Sequence, residues 1–188
     1  SPFIEAVRRD NPSIFTFIGG HGATSMPERM LSECPGLDAV VIGEGEATAG
    51  EMIDAVACGT PLDGVAGLAF RNPSGGIVRT ANRPLVEDLD SLPFPAVDLC
   101  EMDRYYPSFE QVSTVPVMQT LASRGCSGTC LYCYKMYGRR IRLRDPKRVV
   151  DEIEYYVKRY GAREIKFWDE HFTYSHAHTY AFCEELKR

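Results

Sequence analysis

The chain has 188 residues, of which 44% are hydrophobic and 25% are charged, and its formal net charge is -5 at pH 7. This composition is that of an ordinary globular protein and excludes a largely disordered chain. The acidic balance argues against a general nucleic-acid or membrane-surface protein, because binding to polyanions usually requires an excess of basic residues. The length allows one large domain or two small ones.

The cysteine content predicts a reducing compartment. The chain has seven cysteines, an odd number, and it shows neither a secretory leader nor an apolar run long enough to span a bilayer. We therefore expect a cytoplasmic protein without a disulfide framework. The first and last residues fall within predicted helices, so we expect the sequence to be a segment of a longer protein.

Residues 1–60 alternate between helical and strand patterns. Apolar runs over residues 14–18 and 37–42 predict two buried parallel strands, and helical patterns precede and follow each of them. This alternation predicts an α/β fold, here part of a doubly wound parallel sheet.

Glycine-rich loops follow both predicted strands. The first reads Gly19-Gly20-His21-Gly22 and the second reads Gly43-Glu44-Gly45-Glu46. Ligands of a doubly wound sheet bind at the carboxyl ends of its strands, and glycine lets the backbone approach a ligand closely. The sequence thus predicts a ligand site here, with a tight turn as the alternative for the first loop. We interpret Glu44 and Glu46 as complements of a helix dipole rather than as an acid/base pair.

Residues 61–114 are predicted to form a hairpin followed by a proline-rich connector. Residues 68–70 and 77–79 fit two short strands around the turn sequence Asn72-Pro73-Ser74-Gly75-Gly76, which is typical of a hairpin. The prolines in residues 89–96 then keep the chain extended.

Residues 115–188 repeat the order of strand, helix and strand. Residues 117–122 and 164–168 are the predicted strands, and the helix between them begins at Asp145-Pro146, an N-cap residue followed by proline. Asp169-Glu170 therefore emerges at the end of the second strand. The fold predicted for this part is the beginning of a barrel of parallel βα units.

The basic run Arg139-Arg140-Ile141-Arg142-Leu143-Arg144 precedes that helix. It could contact nucleic acid, a cofactor phosphate or an acidic substrate, but we favour a solvated loop because the rest of the chain is acidic. A zinc-bound nucleic-acid protein that uses residues 139–148 is the hypothesis that follows from the first interpretation.

The most specific motif is Cys126-Ser127-Gly128-Thr129-Cys130-Leu131-Tyr132-Cys133, which follows the predicted strand over residues 117–122. Three cysteines spaced in this way on a glycine-containing loop can turn their sulfurs toward one point. Soft thiolates select iron–sulfur clusters, zinc or copper(I), and three ligands leave one coordination position open. The alternatives are a zinc knuckle completed by His171 or Cys183 and three unpaired core cysteines.

The spacing of the motif, with Tyr132 directly before the third cysteine, resembles the cluster loop of the radical S-adenosylmethionine (SAM) enzymes. Three flanking segments resemble the subgroup that carries a cobalamin-binding domain ahead of its barrel: Ala122-Ser123-Arg124-Gly125-Cys126, residues 145–154 and Phe167-Trp168-Asp169-Glu170-His171-Phe172-Thr173.

This resemblance implies an organisation for the whole chain. Residues 1–60 would be the C-terminal half of a Rossmann-like, cobalamin (B12)-binding α/β domain. Residues 61–114 would be a hairpin and a proline-rich connector. Residues 115–188 would be the N-terminal part of a radical SAM barrel, which is a partial (β/α)6 barrel in this family.

The resemblance also implies the residues that bind the cluster and SAM. The three cysteines of the motif, Cys126, Cys130 and Cys133, would hold a [4Fe–4S] cluster whose remaining iron binds SAM. Tyr132 would lie near the adenine of SAM, with core packing as the alternative. Asp169 or Glu170 would bind the amino group of SAM in place of the family's G-G-E motif, whose glycines are missing here; capping of the next helix is the alternative.

The glycine loops of residues 1–60 resemble the half of the cobalamin-binding fold whose Gly-Gly loop packs against the nucleotide tail of the cofactor. The residues implied to contact cobalamin are Gly19, Gly20, His21, Gly43, Glu44 and Gly45. The sequence contains no D-x-H-x-x-G motif, which supplies a histidine to cobalt in many cobalamin proteins, and His21 lies on a different loop.

The predicted function is therefore that of a radical SAM enzyme, with cobalamin-dependent methyl transfer to an unactivated carbon as the favoured outcome. Cyclisation of the kind known from anaerobic tetrapyrrole synthesis and a non-catalytic iron–sulfur or cobalamin-binding module are the alternatives. The expected partners are a small-molecule substrate and an external electron donor of the flavodoxin or ferredoxin type, without a membrane or nucleic acid. No residue is assigned a catalytic role, and none identifies the substrate.

Overall fold

The computed structural model describes residues 2–105 and 112–188. The chain divides into a first unit, which contains residues 1–86 and 130–137, and a second unit, which contains residues 87–129 and 138–188. Residues 106–111, which belong to the predicted connector, lie outside the described residues. Among the described helices, none has both the length and the apolar character that crossing a membrane requires.

The first unit contains one four-stranded sheet and four helices. Its strands are β1 (Phe17–Ile18), β2 (Ala39–Val41), β3 (Leu68–Arg71) and β4 (Ile77–Arg79). Its helices are α1 (Pro2–Asp10), α2 (His21–Ser25), α3 (Pro27–Glu33) and α4 (Gly45–Cys58). The strands follow the order β1-β2-β3-β4, in which β1 and β2 are parallel and the remaining pairs are antiparallel.

Strand β2 lies in the core of the first unit. Val40 packs with Leu31 in one hydrophobic cluster, and Val41 packs with Met52 in another. A strand with apolar neighbours on both faces has no polar alternation, which is why residues 37–42 read as a continuous apolar run. The predicted α/β fold is confirmed for this unit.

The hairpin of β3 and β4 belongs to the first sheet. Strand β3 pairs with β2 in antiparallel register, with Val40 opposite Ala69. Leu68 and Ala69 are completely buried. The pairing satisfies backbone N–H and C=O groups along one side of β2 that would otherwise be buried without partners. The hairpin therefore completes a core, a role that its short apolar runs did not reveal.

The second unit contains two pairs of strands and two long helices. Its strands are β5 (Val117–Thr120), β6 (Ser123–Arg124), β7 (Arg142–Leu143) and β8 (Glu164–Phe167). Its helices are α5 (Pro146–Tyr160) and α6 (His176–Leu186). Strands β5 and β8 are parallel, whereas β6 and β7 are antiparallel. Helix α5 connects the two parallel strands, as predicted for the first βα units of a barrel.

The ends of α5 follow from local sequence. The side chain of Asp145 accepts a hydrogen bond from the backbone N–H of Lys147 at 2.8 Å, and Pro146 occupies the first helical position. Gly161 ends the helix in the left-handed conformation, with φ of 64°. An acidic N-cap, proline at the first position and glycine after the last turn are the expected terminal residues of a helix.

Candidate functional site

The carboxyl ends of β1 and β2 lie at the same edge of the first sheet, because these two strands are parallel. The loop after β1 enters α2 through Gly20, with φ of 91° and ψ of -178°, and the loop after β2 contains Gly43, with φ of 78°. Only glycine adopts such backbone conformations readily. A Cβ atom at either position would meet no atom within 4 Å, so both backbone segments border open space.

Gly19 and Gly45 have a different role in the same loops. A Cβ atom at Gly19 would lie 3.6 Å from the Cβ of Val41, and one at Gly45 would lie 3.2 Å from the Cγ1 of Val41. These two glycines therefore let both loops pass close to the end of β2. Their contacts explain packing within the unit, and their contact with a ligand stays a prediction.

Glu44 is turned into the first unit. Its residue is only 5% exposed, and its Oε2 accepts a hydrogen bond from the backbone N–H of Val86 at 2.6 Å. Glu44 occupies the N-cap position of α4, but its side chain does not cap the helix. The structure thus makes Glu44 a buried tie between two segments of the first unit, and its roles in cofactor contact and in complementing the helix dipole stay predictions.

Thr24 connects the two glycine loops, a role that the sequence analysis missed. It is buried, and its Oγ1 accepts a hydrogen bond from the backbone N–H of Gly43 at 3.1 Å. Thr24 lies in α2, directly after the first loop, so this bond holds the second loop against that helix. The available signal was a pair of hydroxyl residues, Thr24-Ser25, shortly after a glycine run, a pattern too common to indicate such a contact.

Helix α2 also contacts residues 130–137 within the first unit. The hydroxyl of Tyr134 lies 3.5 Å from the backbone oxygen of Thr24. The Sδ of Met136 lies 3.8 Å from the Oγ1 of the same threonine. The exposed ring of His21 stands edge-on to the ring of Tyr137, with 5.8 Å between the centroids. The segment that carries two of the three motif cysteines therefore packs on the helix that follows the first glycine loop.

The three motif cysteines are free thiols that form no disulfide bond among the described residues. Cys126 is partly buried, whereas Cys130 and Cys133 are exposed. The backbone N–H of Cys126 donates to the oxygen of Gly138 at 3.2 Å in the second unit, and the N–H of Cys133 donates to the oxygen of Cys130 at 3.3 Å in the first.

Three thiols at this spacing match the ligands that iron–sulfur clusters and other soft metals prefer. Over residues 2–105 and 112–188, however, no three histidine, cysteine or carboxylate side chains are grouped closely enough to hold a metal ion. The assignment of the cluster ligands therefore stays a prediction from the motif. Tyr132 is 93% exposed, which excludes the alternative that its ring packs in a core.

Asp169 connects the end of β8 to the residues that follow β5. Its Oδ2 accepts a hydrogen bond from the backbone N–H of Ala122 at 3.0 Å, and its Oδ1 accepts one from the hydroxyl of Ser123 at 2.5 Å. Burial raises the pKa of Asp169, and the hydrogen bonds from Ser123 and Ala122 oppose this shift. The carboxylate of Asp169 therefore binds its own chain.

Glu170 differs from its neighbour in having an oxygen without a partner. Its Oε2 is buried, and it makes no hydrogen bond within the part of the chain that the structure describes. Buried carboxylate oxygens normally have partners, so Glu170 is the better candidate of the two carboxylates for binding a donor group of a ligand. Neither residue caps the next helix, because Ser175 is the N-cap of α6.

Half of the basic run lies inside the second unit, which corrects the prediction of a solvated loop over residues 139–144. Arg142 is 5% exposed. Arg144 pairs with Glu152 at 2.6 Å and donates to the backbone oxygen of Leu121 at 2.7 Å. A buried carboxylate on α5 requires a charged partner, and Arg144 supplies it.

Glu152 is the centre of a buried polar cluster. It is 2% exposed, and its Oε1 accepts hydrogen bonds from Thr120 at 2.8 Å and from Tyr156 at 2.9 Å. Burial and the neighbouring carboxylate raise the pKa of Tyr156 above its ordinary value. The cluster joins β5 to α5 and thereby stabilises the strand that precedes the cysteine motif.

Comparison with known proteins identifies a domain and several proteins to which this chain is similar. Residues 3–53 match the B12 binding domain. An uncharacterized methyltransferase of Pyrococcus horikoshii is 37% identical over 165 residues, which cover 87% of this chain and 35% of that protein. The anaerobic magnesium-protoporphyrin IX monomethyl ester cyclase of Rubrivivax gelatinosus is 35% identical over 188 residues, which cover 97% of this chain and 33% of that protein.

A solved structure shares the fold. The cobalamin-dependent S-adenosylmethionine radical enzyme OxsB, with aqua-cobalamin and S-adenosylmethionine bound, matches 100% of this chain and 26% of its own chain, with a TM-score of 0.74 and 21% sequence identity. The chain spans 35% and 33% of the lengths of the two relatives in sequence. Residues 3–53 are thus a B12 binding domain, and the chain as a whole shares the fold of a cobalamin-dependent radical SAM enzyme.

Proposed function

We propose that the protein is a radical SAM enzyme that uses a [4Fe–4S] cluster to cleave SAM and that transfers a methyl group to an unactivated carbon with the help of cobalamin. The observation that carries the proposal is the end of β8. There, Asp169 binds Ala122 and Ser123, which lie shortly before Cys126 in the chain. The next residue, Glu170, has a buried side-chain oxygen without a hydrogen-bond partner among the described residues.

Each part of the proposed site has a specific task. The thiolates of Cys126, Cys130 and Cys133 would hold the cluster, and Glu170 would accept hydrogen bonds from the ammonium group of SAM. The exposed ring of Tyr132 would contact the adenine. When bound, the reduced cluster supplies the electron that cleaves SAM, and cobalamin supplies a carrier for the methyl group.

The first unit supports the cobalamin part of the proposal. Gly20 and Gly43 present backbone next to open space at one sheet edge, where ligands of α/β sheets bind. A large, flat cofactor can contact such an edge through backbone atoms. We propose that Gly20, His21 and Gly43 contact cobalamin, and that Gly19, Glu44 and Gly45 hold the loops in place.

The proposal also covers the substrate, the electron donor and the cellular compartment. The substrate is a small molecule, and an external electron donor of the flavodoxin or ferredoxin type reduces the cluster in the cytoplasm. The net charge of -5 at pH 7 and the burial of Arg142 and Arg144 both disfavour a nucleic-acid partner.

Cyclisation is the second candidate reaction. It is favoured by the relative named as a magnesium-protoporphyrin IX monomethyl ester cyclase, which aligns with 97% of this chain. Methyl transfer and cyclisation are distinguished by the methyl group of SAM, which enters the product only in the first case. SAM with an isotope label in that group therefore decides between them.

Anaerobic reconstitution of the full-length protein tests the proposed function. We expect a brown protein that contains iron and sulfide, and that converts SAM to 5′-deoxyadenosine after reduction. A protein that holds iron but never cleaves SAM would be a binding module or an electron carrier. A protein that holds zinc and no iron would contradict the cluster and favour the zinc alternative.

A further inference from the structure

Asp169 has a role at the end of β8 that the proposed function does not assign. We propose that Asp169 is a positioning residue that holds the start of the cysteine loop in register with the end of β8. The inference rests on the proposed function, because it matters only if Cys126 binds the cluster and Glu170 binds SAM.

The side chain of Asp169 continues the connection between the strands where their backbone ladder ends. Strands β5 and β8 pair up to Thr120 and Phe167, and the last backbone bond runs from the N–H of Trp168 to the oxygen of Thr120 at 3.0 Å. Beyond this point, Asp169 reaches Ala122 and Ser123 with its two carboxylate oxygens, at 3.0 and 2.5 Å.

Both partners of Asp169 are deeply buried. Ala122 and Ser123 are each 1% exposed. A buried N–H or hydroxyl group without a partner is strongly unfavourable, so each group fixes the position of the carboxylate and is fixed by it. The pair of bonds therefore determines where β6 begins relative to the end of β8.

Cys126 follows this fixed point after three residues, which span at most about 10 Å. Arg124 pairs with Arg142 of β7, and Gly125 turns the chain with φ of 100°. The N–H of Cys126 then donates to the oxygen of Gly138 at 3.2 Å. The backbone from Ser123 to Cys126 is thus held throughout, and a displacement of Ser123 would move the cysteine.

The same bonds also orient Glu170. Because Glu170 is the next residue along the chain, the backbone that presents its unpartnered oxygen is held by the carboxylate of Asp169. One side chain therefore links the two strand ends that would supply a cluster ligand and a SAM contact. The two carboxylates have separate tasks, with Asp169 binding the protein and Glu170 left for the ligand.

Three variants of the full-length protein test this role. Asp169→Ala removes both acceptors, and Ser123→Ala removes only the hydroxyl bond. Glu164→Ala is the matched control, because Glu164 lies at the opposite end of β8 and also accepts two hydrogen bonds, from the backbone N–H groups of Ser113 at 2.7 Å and Thr114 at 2.9 Å.

The measurements are the iron content after reconstitution, the dissociation constant for SAM, the change in the electron paramagnetic resonance spectrum of the reduced cluster on SAM addition, and the melting temperature. We expect Asp169→Ala to weaken SAM binding by about tenfold or more, because the residues that would bind the cluster and SAM are then no longer held in position. Ser123→Ala should weaken it less, and both variants should alter the spectrum. Glu164→Ala should keep the affinity and spectrum of the wild type even if its melting temperature falls.

Two results would overturn the inference while leaving the proposed function intact. One is an Asp169→Ala variant with the SAM affinity and spectrum of the wild type. The other is a loss of SAM affinity in Glu164→Ala as large as that in Asp169→Ala, which would indicate general weakening of the sheet. If Asp169→Ala does not fold, Ser123→Ala decides by the same criteria. A wild-type protein that holds no iron would overturn the proposed function and this inference together.

Discussion

Each unit contains a pair of parallel strands, and the groups presented at the carboxyl ends of these strands differ between the two pairs. After β1 and β2, the edge consists of backbone: Gly20 and Gly43 border open space, and the carboxylate of Glu44 is turned inward to Val86. After β5 and β8, the edge consists of side chains, because Asp169 and Glu170 extend beyond the last backbone bond.

This difference indicates how strongly ligand binding at each edge should depend on single side chains. An edge made of backbone depends on conformation, so a large ligand can bind there through many weak contacts and few individual side chains matter. An edge made of buried carboxylates depends on single groups, because each carboxylate needs a partner of matching polarity. In the proposed function, the first edge would contact the broad surface of cobalamin and the second would bind the ammonium group of SAM.

The strongest dependence on single side chains is expected in the cysteine motif. Cys130→Ala removes one of three proposed cluster ligands, so we expect loss of cluster binding and of SAM cleavage to background levels. Iron analysis after anaerobic reconstitution measures this loss. Cys183→Ala is the control, since Cys183 is also an exposed thiol but lies in α6, outside the motif. Full iron content in Cys130→Ala would contradict the assignment.

The buried cluster under the second edge should show the next largest effect. Glu152→Ala leaves Arg144 without its buried partner, and we expect the free energy of unfolding to fall by about 3–5 kcal/mol. Urea unfolding followed by the fluorescence of Trp168, the single tryptophan, reports on the second unit.

The matched control for this variant lies on the same helix. Glu154 pairs with Lys158 at 2.5 Å, but both side chains are more than half exposed. Glu154→Ala should therefore cost less than about 1 kcal/mol. Equal effects of the two substitutions would show that Glu152 stabilises the second unit no more than an ordinary surface ion pair does.

The backbone-built edge should respond to conformation instead. In Gly20→Ala, the new Cβ meets no atom within 4 Å, but φ of 91° is unfavourable for alanine, so we expect a cost of about 1–3 kcal/mol. A change in the loop should weaken cobalamin binding by about tenfold, measured by absorbance titration. Gly22→Ala is the control, because Gly22 has equal space without a positive φ, and its affinity should be unchanged. Equal losses in both variants would refute the conformational explanation.

The smallest expected effect is a difference in pH dependence between the two ends of β8. The pKa of Asp169 is raised from 3.8, mainly by burial, so the folded state holds this proton more tightly than the unfolded state does. The contribution of Asp169 to the free energy of unfolding should therefore fall as the pH rises from about 3.8 through the raised pKa. Glu164 should behave oppositely, because the N–H groups of Thr114 and Ser113 lower its pKa from 4.5, and its contribution is lost as the pH falls.

Unfolding of the wild type, Asp169→Asn and Glu164→Gln over a pH series measures this difference through Trp168 fluorescence. The stability gap between the wild type and Asp169→Asn should shift against the wild type with rising pH. The stability gap between the wild type and Glu164→Gln should shift in favour of the wild type with rising pH. Shifts of the same sign would contradict the two opposite pKa directions.

Local patterns were sufficient for much of the fold. The ends of α5 followed from Asp145, Pro146 and Gly161, because capping depends on residues within one turn of the helix terminus. The buried run of β2 followed from its apolar side chains, and the cysteine motif was recognised from its spacing together with its flanking segments. These features involve neighbours along the chain, so a sequence pattern contains all of their interacting parts.

The roles of individual polar residues required the folded chain. Asp169 binds partners that lie 47 and 46 residues away, and Glu44 binds one that lies 42 residues away. Arg144 appeared to belong to a solvated basic loop until its partner Glu152 was found inside the second unit. A carboxylate or guanidinium has the same local pattern whether it faces solvent, a ligand or its own protein, and only long-range packing distinguishes these surroundings.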